Sequence, residues 1–171
     1  MQTKSTFGWV APVLWLLGAL AIYAAIDRML ITYGSLLTGV MPTDPANAHY
    51  VKHALLISLH IIPGLLFLLL GPLQFVAAIR ARWPKIHRIS GRVFIASGFM
   101  MAVSAIAINI MFPPFGGLFK SIAVYVFSVA QIVTLTVALR AILRRDITRH
   151  RAWMIRAFAI GLAISTMRIF F

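Results

Sequence analysis

The sequence predicts an all-α, polytopic membrane bundle of about five transmembrane helices, occupying residues 1–171 as one integral-membrane domain. Composition, the length of the apolar runs and the placement of charge lead to that prediction. Hydrophobic residues make up 61% of the chain and charged residues 11%, whereas soluble domains are about half apolar and a quarter charged. Five spans of roughly 20 residues take up about 100, so no separate soluble domain fits. Of the sixteen Lys and Arg, eleven fall in two connectors, 80–92 and 140–156.

The first apolar run, 7–26, ends at Asp27-Arg28 and reads as a retained span, because it is long for a signal-peptide core and lacks a small-residue cleavage site. Residues 29–50 contain Pro42 and Pro45 and read as a loop. Asp44-Pro45 has the form of an N-cap followed by proline in the first turn. A helix is expected from there to about Ile79, with its membrane part at 54–79 and a kink at Pro63-Gly64. The third span is 93–112, the prolines and glycines of 113–117 turn the chain, and the fourth and fifth spans are 119–139 and 152–171.

Basic loops stay on the cytoplasmic side. Both connectors are therefore expected inside, with the N-terminus inside and the C-terminus outside a bacterial inner membrane. The net charge of +13 then reads as a topology signal against anionic lipid, and no nucleic-acid partner is expected. The lipid bilayer is the expected partner, with another membrane protein or a second copy as further possibilities.

The connectors echo each other. Ala78-Ile79-Arg80-Ala81, His87-Arg88 and Arg92-Val93-Phe94 have counterparts in Ala138-Leu139-Arg140-Ala141, His150-Arg151 and Arg156-Ala157-Phe158. Two similarly oriented hairpins would place His87 and His150 at equivalent helix starts. The other reading is convergence, since any cytoplasmic hairpin favours Arg at both ends. Gly71-Pro72-Leu73-Gln74-Phe75, the HR-x-x-GR run from His87 to Arg92, the HR-x-W-M-I-R run from His150 to Arg156, and Thr166-Met167-Arg168 together resemble an uncharacterised family of small bacterial multi-span membrane proteins. The resemblance covers about residues 53–170. It implies a helical membrane bundle and no particular reaction.

The absence of cysteine excludes thiolate chemistry. Three acids, Asp27, Asp44 and Asp146, are poor material for a carboxylate-pair hydrolase. No HExxH, phosphate loop, dinucleotide fingerprint or nucleophile elbow is present. What remains is histidine. His49, His53 and His60 share one helical face, which Gly64, Phe67, Gly71 and Gln74 continue. An ionisable or amide group inside a span is a functional candidate, and small residues beside it admit another helix or a flat ligand. His87 and His150 start different helices on one side of the membrane and so suit a shared metal or haem iron, with Arg88, Arg92, Arg151 and Arg156 for propionates. An outer site would pair His60 with Met167 and Arg168, since His/Met ligation is an established haem arrangement. Against ligation stands a plainer role: His-Arg pairs at helix ends bind lipid phosphate, and Trp83 and Trp153 beside them fit an aromatic belt.

The first functional expectation is therefore a b-type haem- or quinone-binding electron-transfer module. A non-enzymatic accessory or assembly subunit is the alternative. A transporter fits least, because an acidic proton relay is missing.

Overall fold

The computed structural model describes residues 9–112 and 117–167, with side chains to Ala163 in the last helix. The described residues form seven helices: α1 (Val10–Thr38), α2 (Pro45–Lys52), α3 (Ala54–Gln74), α4 (Ala77–Arg82), α5 (Pro84–Met111), α6 (Gly117–Leu143) and α7 (Ile147–Met167). Among the described residues, α1, α3, α5 and α6 are long and apolar enough to cross a membrane. The bundle is all-helical and polytopic, as its composition requires.

The first helix does not stop at Asp27-Arg28. It runs to Thr38 and ends where Gly39 takes a left-handed conformation, φ 71°, with its N–H on Ser35 O. The charge inside the helix is tolerated because α2 supplies polar partners. The Arg28 guanidinium donates to Asn47 Oδ1 and lies 4.4 Å from the centre of the Tyr50 ring. Expected loop residues 29–38 are thus helical.

The Asp44 carboxylate accepts the Asn47 N–H at 2.9 Å, and Pro45 opens α2. The helix expected to continue from here to Ile79 is instead three pieces. At His53 the backbone leaves helical geometry (φ −115°, ψ 33°), which separates α2 from α3. At the other end α3 stops at Gln74. Pro72 lies in its last turn, Phe75 N–H turns back to Pro72 O, and Val76 is extended. Pro84 then starts α5 at the position where proline costs a helix least. As a result the whole HR-x-x-GR run is helical, ahead of the apolar stretch that begins at Val93.

In α5, Ser90-Gly91, Ser97-Gly98 and Ser104 recur every seven residues, a stripe of small side chains. The antiparallel α3 sets His60, Phe67 and Gln74 against it, at the same spacing. His60 meets Ser104 at one end, Gln74 meets Ser90 at the other, and Phe67 lies against Gly98 between them. Close approach of backbones is what small residues permit in a membrane bundle.

The second hairpin, α6–α7, closes on this one through the rings of Phe67, Phe94 and Phe158. Phe67 and Phe94 stack at 4.3 Å, and Phe158 lies 5.8 Å from Phe67 and 6.2 Å from Phe94. A methyl group on Gly71 would run into Phe158, one on Gly98 into Leu135, and one on Gly161 into Phe67. The contact between the two hairpins is therefore filled by aromatic rings. Leu, Ile, Val and Phe side chains cover the outside, among them Leu59 and Leu69 on α3, Val103 and Ile110 on α5, and Phe119 and Val126 on α6.

Candidate functional site at the histidine-arginine end

His87 is the fourth residue of α5, and His150 is the fourth residue of α7. Their backbone N–H groups bond the residues just before each helix, Trp83 O and Asp146 O, both at 3.0 Å. The echo in sequence is thus an equivalence of position. The two caps differ. Asp146 accepts the Arg149 N–H on its carboxylate at 2.9 Å and so caps α7. Trp83 offers no side-chain cap.

The His150 ring is oriented by α6. Its Nδ1 lies 2.9 Å from Ala138 O, and a carbonyl can only accept, so Nδ1 carries the proton. In the neutral ring the lone pair then sits on Nε2, the tautomer that a second-shell carbonyl sets in metal-ligating histidines. The His87 ring is half-buried, and its buried Nδ1 has no hydrogen-bond partner. Arg80 and His150 are both near enough to act electrostatically on His87.

On the α3 side, Gln74 Nε2 donates to Ser90 Oγ at 2.8 Å, and the Ser90 hydroxyl donates to Ile86 O. Gly91 leaves room for the Gln74 amide, since a Cβ there would stand 3.0 Å from Oε1. Gln74, Ser90, His87 and His150 thus sit at one end of the bundle, above the phenylalanine cluster.

The arginines expected at this site behave differently. Arg88, Arg92, Arg151 and Arg156 are exposed. Arg156 lies over the Trp153 ring, 4.9 Å from its centre. The cation felt by His87 is Arg80, which the sequence places in the echo between the connectors but not among the candidate site residues. It reaches His87 because α4 folds back beside α5.

His60 is far along α3 from this end, beyond Phe67. Its Nδ1 lies 3.0 Å from Met101 O and 3.1 Å from Ser104 Oγ, so its ring faces α5. The carbonyl again sets the proton on Nδ1. Arg168 and the side chain of Met167, proposed from sequence as its companions, lie outside the described residues. Sequence reasoning missed Gln131, which is 1% exposed in α6 with neither amide atom hydrogen-bonded. A glutamine within an apolar helix was the available signal.

Residues 57–171 match the family model described as Predicted membrane protein (DUF2306). The chain belongs to the DUF2306 family. The match begins within α3 and includes both connectors, so the DUF2306 region contains Gln74, His87 and His150 together with His60. The helices α1 and α2 precede it. No curated protein and no solved structure matches the chain.

Proposed function

We propose that this DUF2306 protein is an electron-transfer module of the bacterial inner membrane that binds a b-type haem between α5 and α7, with His87 and His150 as its ligands. The observation that carries this reading is the pair of imidazoles at equivalent positions on two helices. His150 is held in the tautomer that presents Nε2, and His87 has a buried nitrogen without a partner. A buried polar nitrogen left unpaired costs about 1–3 kcal/mol, and coordination or a ligand hydrogen bond would remove that cost. Bound haem would supply one-electron transfer. The protein would supply two ligands, the Ala138 carbonyl that orients one of them, the Arg80 cation for a propionate and an apolar floor.

A quinone is the second occupant these groups suit, since the Nε2 lone pair of His150 would accept a hydrogen bond from a quinol hydroxyl.

Purified, tag-free protein is expected to show a Soret band that sharpens and shifts with dithionite. His87→Ala and His150→Ala are each expected to abolish it while leaving the protein in the membrane. A wild-type protein that stays colourless after haem-supplemented expression and hemin titration overturns the haem reading. Solvent extraction of the same sample then tests for a quinone.

We also infer that both connectors face the cytoplasm and the C-terminus faces out, on the strength of their eleven basic residues. A C-terminal alkaline phosphatase fusion is expected to be active and one after Arg145 inactive. The reverse pattern inverts the topology.

A further inference from the structure

At the end of the bundle opposite His87 and His150, a second pair of histidines meets with no role in the site above. His49 lies in the last turn of α2 and His53 is the residue that ends it. Their ring centres are 4.8 Å apart with the planes tilted by 54°. Phe112, at the C-terminal end of α5, lies 4.3 Å from each ring. It packs edge-on to His49, and so backs the pair with an apolar wall without a competing donor or acceptor.

Neither imidazole makes a side-chain hydrogen bond to the described residues, and neither has a buried orphan nitrogen. Their nitrogens are therefore uncommitted among the described residues and open to an incoming ion. The separation of four residues is that at which two histidines take a single zinc ion, and the rings stay together although His53 ends the helix. Burial, then the charges of His53 and Lys52, hold the His49 pKa below the ordinary histidine value. No third His, Cys, Asp or Glu joins the pair among the described residues, so the site offers two protein nitrogens and leaves the other positions to water or an outside ligand.

We propose that His49 and His53 form a binding site for a late divalent transition-metal ion at the end of the bundle away from the His87–His150 pair. Imidazole nitrogens favour copper, nickel and zinc over the hard cations magnesium and calcium, and copper binds most tightly in the divalent series. The exchangeable positions suit an ion that is captured and passed on more than one that is locked into the fold. The proposal is independent of the haem reading, because it uses none of the same residues.

Copper titration of the tag-free full-length protein in detergent tests it. One equivalent of Cu(II) is expected to bind, with an electron paramagnetic resonance spectrum showing coupling to two nitrogens. His49→Ala and His53→Ala should each weaken binding at least about tenfold, the lower end of what losing even a ligand's supporting partner costs. His87→Ala/His150→Ala should leave this equivalent in place. The same affinity in His49→Ala/His53→Ala as in the wild type, or coupling to fewer than two nitrogens in the wild type, would overturn the site. Because the first signature is read on the unaltered protein, misfolding of a variant leaves the proposal open to refutation.

Discussion

The two hairpins of the bundle put a histidine at the same place and then treat it differently. His87 and His150 are each one turn into a helix, bonded through the backbone to the preceding residue. In the second hairpin α6 and α7 bury alanines between them, and the carbonyl of buried Ala138 meets the His150 ring. In the first hairpin α3 gives way to α4 before the loop ends. The polar groups that act on α5 there include Gln74, already engaged with Ser90, and Arg80, a cation that offers no acceptor. Position follows from local sequence. What a side chain finds at that position depends on the helix across from it, and that asymmetry leaves one ring anchored and the other available.

The contact that holds the hairpins together is the place to break the comparison outright. Gly71 of α3 accepts the Phe158 ring of α7, and Phe158 also touches the Phe94 and Phe75 rings. Gly71→Leu is expected to separate the two halves. Overpacking a filled core costs about 1–3 kcal/mol, and this ring has other rings behind it, so the upper end applies. Thermal unfolding in detergent should fall by many degrees, and any property shared by His87 and His150 should vanish with it.

A smaller effect is expected at the caps. Asp146→Ala removes the carboxylate that accepts the Arg149 N–H, at about 1 kcal/mol for a lost N-cap. The corresponding change at Trp83 removes no cap. Hydrogen exchange should therefore rise in the first turn of α7 for Asp146→Ala and stay level in α5 for Trp83→Phe. Equal responses would mean that the two helix starts are held by the same forces.

The smallest effect is also the most discriminating. His150→Leu gives up the bond to Ala138 O and is expected to cost about 1 kcal/mol. In the haem-free protein His87→Leu removes a buried nitrogen that bonds nothing, so it should leave the unfolding temperature unchanged or raise it. If both variants destabilise alike, His87 has a partner in the membrane-embedded protein, and the contrast between the hairpins disappears.

Much of this architecture was legible from residue order alone. The hydrophobic runs and the clustered arginines require a multi-span bundle, because unpaired charge is expelled from hydrocarbon and Lys and Arg collect at one face. The heptad spacing of His60, Phe67 and Gln74 placed them on one face, because helical periodicity is a local property. Asp44-Pro45 marked the start of α2 for the same reason. Ends that depend on partners elsewhere were not legible. Asp27-Arg28 has the form of a span terminus, yet α1 continues, since Asn47 and Tyr50 receive Arg28 only after the chain has folded back. The uninterrupted helix to Ile79 failed because the breaks at His53 and Val76 are set by backbone geometry at helix junctions, not by any strong breaker at those positions.

The sequence by itself determined that this protein lives in a membrane, that its helices carry particular faces, and that two histidines begin two helices. These follow from transfer energies and helical period, which act residue by residue. Only the tertiary structure decided which histidine is tied to a carbonyl, that the charge of Arg80 acts on His87, that Gln131 is buried without a partner, and that Phe112 closes over His49 and His53. Each of these depends on a group brought from a distant part of the chain, and a hydrogen bond or a charge interaction is a function of distance in space, which sequence separation does not encode.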